Sequence, residues 1–193
     1  RALLEEAGWR PGPDGVRVND AGERLSFAFS TTAGNRSREL VQQFLQAQWA
    51  EVGIEARIRN LPPRVLFAEE LSRRQFTGMA LFAWISAPES VPKTTLHSTM
   101  IPTAENGWSG QNYTGYTNPE MDRLIEAIEV ELDRDKRAEL WAELQRLYAA
   151  ELPALPLYFR ANAHIWPTWL EGVRPTGHQD VSTLWVEDWR AAD

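Results

Sequence analysis

Four side chains in one short segment are of the types that bind a small polar solute. Trp108, Gln111, Asn112 and Tyr113 lie in GWSGQNYTGYT, residues 107–117, which contains no charged residue. Glycine adopts positive φ without steric cost, so turn formation explains the glycines but not aromatic rings beside amides. Rings supply flat apolar area and amides supply hydrogen bonds, as in ligand pockets. The segment is therefore predicted either to face a ligand or to fold over its own rings.

Tryptophan is unusually frequent, with nine in 193 residues. Trp49 and Trp141 lie on the apolar stripes of predicted helices, which favours a core position for both. Trp84 ends the apolar run MALFAW, and Trp108 lies in the uncharged segment. An indole at such positions offers apolar area and one N–H donor, so Trp108 is predicted to serve a ligand, whereas Trp84 fits the core and a ligand equally well.

Residues for catalysis or metal binding are not grouped in this sequence. The histidines His97, His164 and His178 are far apart and cysteine is absent, so metal-ligand spacing and a thiol nucleophile are both missing. Adjacent acids such as Glu69 and Glu70 lie on a predicted helix, where neighbours diverge by about 100° and cannot converge on one bond. Neither a phosphate-binding glycine loop nor a Gly-x-Ser-x-Gly elbow occurs. The sequence thus predicts no enzymatic activity, no metal and no cofactor.

Charge and hydropathy restrict the partners. A net charge of -7 and a pI near 5.1 argue against a nucleic-acid surface, and the adjacent Arg73 and Arg74 are expected to be solvated. No apolar run approaches the ~18 residues of a membrane span, and no basic-then-apolar leader opens the chain. The opening RALLEEAGW instead resembles the middle of a helix, which we interpret as a sign of preceding residues.

Strand and helix patterns alternate along the chain, which is typical of an α/β fold. Strands are predicted at 25–31, 54–60 and 79–84, and helices at 36–52, from 65 to near 78, at 119–132 and at 133–151. The 79–84 run is apolar throughout, which suits a central strand covered on both faces. A sheet-edge strand is predicted at 157–160. Residues 85–117 lack periodicity, and so long a segment indicates a functional role rather than a connector.

The order of several motifs is specific. The chain contains LLEEAGWRPGPDGVR, AGNRSRELVQQFLQAQWAEVGIEARIRN, a strand ending in Trp84, NYTGYTNPEMDRLI and RAELWAELQRLYAAELPALPLYF. This order resembles the C-terminal portion of the extracytoplasmic solute-binding proteins of family 5, which include peptide-binding proteins of ABC importers. The resemblance implies a type II periplasmic-binding-protein-like lobe, with a mixed central sheet flanked by helices. In that fold two lobes close over a ligand.

The resemblance also implies a domain organisation and partners. Residues 1–171 would form the C-terminal ligand-binding lobe, and residues 172–193 a tail that returns toward an N-terminal lobe outside this chain. The expected partners are a peptide or small-molecule ligand, an ABC permease and that N-terminal lobe. The expected location is periplasmic or otherwise extracytoplasmic, with lipid anchoring through a leader outside this chain as a further option.

The same resemblance implies that two segments face the ligand. One follows the strand that ends at Trp84, and the other precedes the helix that starts near residue 118. The predicted ligand-binding residues are Trp84, Ser86, Glu89, Trp108, Gln111, Asn112, Tyr113 and Arg36. Arg36 and Arg38 are expected either to meet a ligand carboxylate or to be solvated on their helix.

One departure concerns the ligand's amine. Peptide binders of the family usually carry an aspartate shortly after the strand-ending tryptophan, but here Ala87 stands near that place. A buried ammonium without a carboxylate is costly, so either Glu89 substitutes or the ligand has no free amine there. Peptides, oligosaccharides, opines and metal chelates therefore all stay open as ligands.

Two other functions remain open at this point. A glycan-binding or glycan-hydrolysing module would also use exposed tryptophans, but hydrolysis needs convergent carboxylates, which we do not expect to find. A family scaffold that has become a regulatory or adhesion domain is the third alternative.

Overall fold

The computed structural model describes residues 1–87, 90–159, 163–175 and 183–192. The chain forms two compact units, each built from two stretches of sequence. The first consists of Arg1–Ala83 with Ser98–Tyr116, and the second of Trp84–His97 with Thr117–Asp193. The expected division between residues 171 and 172 falls inside the second unit. That residues 172–193 return toward another lobe stays a prediction.

The first unit contains a parallel three-stranded sheet. Its elements are α1 (Ala2–Glu6), β1 (Arg10–Pro11), β2 (Arg17–Val18), β3 (Ser26–Thr32), α2 (Arg36–Ala50), β4 (Glu55–Leu61), α3 (Pro63–Val65, continued by a π-helical turn over Leu66–Leu71), β5 (Met79–Leu81) and a 3₁₀ turn at Ser98–Met100. The sheet order is β4-β3-β5, and both pairings are parallel. The predicted strands at 25–31 and 54–60 and the helix at 36–52 are confirmed to within two residues.

Helix α2 is attached to the sheet through its inward face. Asn35 caps it by accepting from the backbone N–H of Arg38 at 3.2 Å. Trp49 is half-buried and packs against Phe29, with ring centroids 5.1 Å apart, so it faces the sheet without being fully buried in the core. The fully buried Gln42 donates its Nε2 to the backbone oxygen of Phe29 at 2.5 Å. The helix therefore covers β3, the middle strand.

Two predictions around β5 are wrong. The strand covers only Met79–Leu81 and lies at an edge of the three-stranded sheet, whereas the apolar run had suggested a central strand extending to 84. Phe82 instead packs on Phe67, with ring centroids 5.5 Å apart. The apolar residues at the end of this run therefore reflect packing against a neighbouring segment. They do not indicate a strand that is hydrogen-bonded along both of its edges. The preceding helix also ends at Leu71 rather than near 78, and Arg74 has a left-handed φ of +51°.

The turn-rich opening is joined to the sheet by one arginine. Arg17 is 3% exposed, and its guanidinium donates to the backbone oxygens of Val52 at 2.8 Å and Trp9 at 2.7 Å. It also meets Glu5 at 3.2 Å. The backbone N–H of Arg17 also donates to the backbone oxygen of Gly53. Together these bonds fix the hairpin of β1 and β2 beside the amino ends of β3 and β4.

The second unit is mainly helical. Its elements are α4 (Lys93–Leu96), α5 (Pro119–Val130), α6 (Arg134–Glu151), β6 (Leu170–Glu171), a 3₁₀ turn at Val186–Asp188 and β7 (Arg190–Ala191), which pairs antiparallel with β6. Helix α5 contributes the buried core Met121, Leu124, Ile125 and Ile128. Asn118 and Asp133 cap α5 and α6, and both predicted helices are confirmed to within two residues.

Two further findings concern the second unit. The strand predicted at 157–160 is not formed over 157–159, where Phe159 is fully exposed, and Arg160 lies outside the described residues. Of the helices that the structure describes, none is long and apolar enough to cross a bilayer.

Candidate functional site

The carboxyl edge of the sheet is the first feature of the candidate site. Because β3, β4 and β5 are parallel, their carboxyl ends share one edge, where ligands bind in open α/β sheets. The Thr31 hydroxyl donates to the backbone oxygen of Leu81 at 2.7 Å, which ties the ends of β3 and β5 together. Arg36 is exposed at the start of α2, four residues after β3 ends. The neighbouring Arg38 instead donates to the Thr32 hydroxyl at 3.0 Å.

The uncharged segment is placed next to this edge by its tyrosine. The Tyr113 ring lies 6.3 Å from the Phe82 ring, centroid to centroid, and Phe82 directly follows β5. Tyr113 is half-buried, and burial raises the pKa of its hydroxyl above the usual value. The neutral phenol therefore persists at physiological pH as a hydrogen-bond donor and acceptor. Tyr113 thus combines ring contacts with a polar group, as the sequence predicted, although no contact with a ligand is tested.

Asn112 has a different environment from the one predicted for a ligand-binding group. Its side chain is fully buried, and its Oδ1 accepts from the backbone N–H of Tyr116 at 3.0 Å and the Thr114 hydroxyl at 3.3 Å. Its Nδ2 donates to the backbone oxygen of Tyr116 at 2.8 Å. The amide thus holds the loop in shape. These bonds give the amide a part in organising the loop, and its contact with a ligand, which would have to displace them, stays a prediction.

Trp108 is presented by a tightly organised turn. It has a φ of +63°, unusual for a bulky residue, and its ring remains 37% exposed. Its backbone N–H bonds to Thr103 at 2.8 Å. Asn106 accepts from the backbone N–H groups of Thr103 at 2.9 Å and Ser109 at 3.1 Å. The turn therefore fixes an exposed indole in a conformation that an isolated chain would avoid, as is frequent at binding sites.

The remaining predicted residues differ in environment. Gln111 is half-buried, and its side chain forms no hydrogen bond within the described part of the chain. Trp84 and Ser86 belong to the second unit and are exposed, Trp84 by 43%. Their segment is attached to α5 through Lys93, whose Nζ lies 2.6 Å from Glu129. Glu89 lies outside the described residues.

Residues that could hold a metal are not grouped within the described ranges.

Arg73 and Phe82 are two residues in contact with the proposed ligand-binding residues that sequence reasoning missed. The guanidinium carbon of Arg73 lies over the Trp108 ring, 5.9 Å from its centroid, within the range of a cation–π contact. The adjacent Arg73 and Arg74 were visible as a basic pair, but no local pattern indicates that a ring 35 residues further on lies beside them.

The fold defines an α/β protein of the type II periplasmic-binding class, as comparison with known proteins confirms. The family model for bacterial extracellular solute-binding proteins, family 5, middle region, matches residues 1–120. This chain belongs to that family. Members are solute-binding proteins rather than enzymes, and a glycan-acting module is not favoured.

The relatives agree with this assignment. The oligopeptide-binding protein AppA of Bacillus subtilis is 25% identical over 190 residues, covering 98% of this chain and 33% of AppA. Among solved structures, the oligopeptide-binding protein of Thermus thermophilus complexed with a pentapeptide is 41% identical, with a TM-score of 0.76 over 83% of this chain and 29% of that chain. AppA in complex with a nonapeptide has a TM-score of 0.78 and 26% identity over 100% of this chain and 36% of that chain. The chain spans about a third of the length of these relatives.

Proposed function

We propose that this chain is a ligand-binding lobe of the receptor component of an ABC importer, and that its ligands are peptides. The observation that carries the proposal is the 41% identity to a binding protein whose structure contains a pentapeptide. The receptor would act outside the cytoplasmic membrane and deliver its ligand to a permease. This location is supported by the extracellular character of the family.

The chemistry of the proposed site is that of a receptor that must remove its ligand from water. A ligand that loses its hydration needs replacement hydrogen bonds, and its apolar parts need flat surface. Trp108 and Tyr113 offer that surface in the first unit, Gln111 offers donors and acceptors, and Arg36 offers a cation at the carboxyl edge of the sheet. Trp84, Ser86 and Glu89 stay in the proposal because of the family resemblance.

Ligand identity is the first test. The natural-length protein is purified without denaturation, the bound material is released by acid, and mass spectrometry identifies it. Peptides are the expected result. Recovery of oligosaccharides or metal chelates without peptides would contradict the proposed ligand class but leave the receptor role standing.

Recognition of the ligand's amine is the second test. The recovered peptides are synthesised with free and with acetylated amino termini, and their affinities are compared by calorimetry. If Glu89 replaces the family's aspartate, acetylation weakens binding in the wild type, and Glu89→Gln removes most of that difference. Equal affinities in the wild type would show that no carboxylate serves the ligand's amine.

Aromatic contact is the third test. Trp108→Ala should weaken peptide binding about tenfold or more, since buried interface aromatics typically contribute over ~1.4 kcal/mol. Phe44→Ala is the matched control, because Phe44 is an aromatic residue 64% exposed on α2 and is not among the proposed ligand-binding residues. Equal affinities for the wild type and Trp108→Ala would remove Trp108 from the site.

A further inference from the structure

The turn that presents Trp108 contains a chemically labile pair of residues. Asn106 is followed directly by Gly107, and this is the only Asn-Gly pair in the sequence. The backbone nitrogen that follows an asparagine can attack the side-chain amide carbon, and glycine hinders the approach least because it has no Cβ. Both residues are exposed, so water reaches them. Sequence and exposure together indicate a site of spontaneous covalent modification.

The reaction needs only these two residues and water. The nitrogen of Gly107 forms a bond to Cγ of Asn106 and loses its proton, while the bond from Cγ to Nδ2 breaks. The departing amine takes up a proton and leaves as ammonia, so that a cyclic imide joins the two residues. Water then opens the imide at one of its two carbonyl groups. The product is aspartate if the original backbone linkage is kept, and isoaspartate if the backbone continues through the side chain.

The side chain of Asn106 is held away from this reaction by three hydrogen bonds. Its Oδ1 accepts from the backbone N–H groups of Thr103 at 2.9 Å and Ser109 at 3.1 Å. Its Nδ2 donates to the backbone oxygen of Ile101 at 2.8 Å. The amide must leave these partners before it can turn toward the nitrogen of Gly107. The closed turn therefore protects the pair.

The attacking nitrogen is also engaged in the closed turn. The N–H of Gly107 donates to the backbone oxygen of Ala104 at 3.2 Å. Because the turn is at the surface, water can replace each of these bonds, and one such bond favours the closed state by only about tenfold or less. A Cβ placed on Gly107 would meet no atom within 4 Å, so the backbone has room to move. Exposed loops of this kind open locally without global unfolding.

We propose that Asn106–Gly107 is a modification site whose reaction rate is controlled by the opening of this turn, and that isoaspartate formation removes the support of Trp108. Isoaspartate adds one methylene group to the backbone and removes the Nδ2 donor, so the bond to Ile101 cannot form again. Trp108, held at a φ of +63°, is two residues further along the chain. Only the consequence for ligand affinity rests on the proposed function.

The first measurement compares modification rates in the folded and unfolded chain. The natural-length protein is incubated without ligand at mildly alkaline pH, either native or in guanidinium chloride. Proteolytic peptides that contain residue 106 are then separated, and mass spectrometry quantifies the asparagine, aspartate and isoaspartate forms. The native protein should react measurably but about tenfold or more slowly than the unfolded chain, because several bonds must open together.

A substitution that loosens the turn without changing the reacting pair gives the second measurement. Thr103→Val removes the hydroxyl oxygen that accepts from the backbone N–H of Asn106 at 3.3 Å. It should raise the native rate about fivefold, the scale of one exposed hydrogen bond, and leave the unfolded rate unchanged. The matched control is Thr95→Val, which removes a hydroxyl bonded to the backbone oxygen of Pro92 at 3.2 Å in the second unit. It should change neither rate.

Peptide affinity gives the third measurement. The isoaspartate form carries an additional carboxylate, so ion exchange separates it from the unmodified protein. Calorimetry with the peptides recovered from the receptor should show about tenfold weaker binding, similar to the loss expected for Trp108→Ala. Asn106→Asp adds the same charge without the methylene group and should lose less affinity than the isoaspartate form.

Three outcomes would overturn the inference. Equal rates in the native and unfolded protein would show that the turn does not control the reaction. Absence of modification in both the native wild type and native Thr103→Val, while the unfolded chain reacts, would show that the turn does not open. An isoaspartate form that binds peptides as tightly as the unmodified protein would refute the effect on Trp108. If the unmodified protein binds no peptide, the proposed function fails together with the affinity effect, whereas the rates still decide whether the turn controls the modification.

Discussion

Replacing Asn112 with alanine tests the role of a buried amide in organising the uncharged loop. The chain offers a matched control in Asn106, which also holds its loop through side-chain bonds to the backbone, at 2.9 Å to Thr103, 3.1 Å to Ser109 and 2.8 Å to Ile101. Asn112 is 0% exposed, whereas Asn106 is exposed. The two substitutions therefore remove the same group and differ in whether water can replace it.

Burial sets the expected magnitudes. At Asn106 water can bond to the freed backbone groups, so the loss should be about 1 kcal/mol. At Asn112 the substitution removes bonds of 2.8 and 3.0 Å and leaves the N–H and C=O of Tyr116 without the amide. An unsatisfied buried group adds its desolvation cost, so the expected loss is about 3 kcal/mol. With a urea m-value of about 2 kcal/mol/M, the unfolding midpoint falls by about 1.5 M for Asn112→Ala and about 0.5 M for Asn106→Ala.

Urea unfolding followed by tryptophan fluorescence, combined with calorimetry of peptide binding, gives the decisive comparison. Equal destabilisation by the two substitutions would refute the reasoning from burial. A variant at Asn112 that keeps its stability but loses peptide affinity would show that the amide contacts the ligand, as the sequence alone predicted.

Three further predictions concern other parts of the chain. Arg17→Met should cost about 3 kcal/mol of unfolding free energy in a urea titration, because it strands the backbone oxygens that the 3%-exposed guanidinium satisfies; a loss below about 1 kcal/mol would contradict this. Leu124→Ala, at a position 1% exposed on α5, should lower the free energy of unfolding by about 3 kcal/mol. The control Leu132→Ala, at a position 96% exposed, should lower it by less than about 0.5 kcal/mol. Equal losses would disprove the assignment of Leu124 to the core. Burial raises the pKa of Tyr113. Subtracting the ultraviolet titration of Tyr113→Phe from that of the wild type should therefore give a curve with its midpoint above the ordinary tyrosine value near 10. Phe82→Ala, which removes the neighbouring ring, should move that midpoint down. A midpoint at or below 10 would refute the burial of the Tyr113 hydroxyl.

Local signals predicted the helices well because their causes are local. Asn118 can cap a helix, Pro119 fits its first position, and apolar residues recur every three or four positions from Met121 onward. The structure shows the cap bond from Glu120 at 2.8 Å and the fully buried Met121. Such features involve residues within one or two turns of each other, so the sequence contains them in full.

Strand position in the sheet was less predictable. The apolar run from Met79 to Trp84 was expected to form a central strand, but the structure uses Leu81 as the last strand residue and buries part of Phe82 against Phe67. An apolar residue is favoured wherever water is excluded, whether by a second strand or by a packed side chain. Hydropathy alone does not distinguish these two environments.

The candidate site shows the same limit at the level of single side chains. Residue type indicated that the 107–117 segment contains rings and amides suited to a ligand, and Trp108 is indeed exposed. Residue type could not separate Gln111, whose side chain has no hydrogen bond within the described residues, from Asn112, whose buried side chain bonds to Tyr116 and Thr114. The difference arises from which backbone groups happen to lie within hydrogen-bonding distance of each amide.

By itself, the sequence determined the α/β alternation, the capped helices and the family, because these depend on periodicity, on neighbouring residues and on the order of motifs along the chain. Only the tertiary structure decided that Asn112 supports the loop, that β5 lies at a sheet edge, and that the Arg73 guanidinium lies over the Trp108 ring. Each of those facts is a contact or an exclusion of water that depends on how the backbone is arranged in space, and such arrangements exist only once the chain has folded.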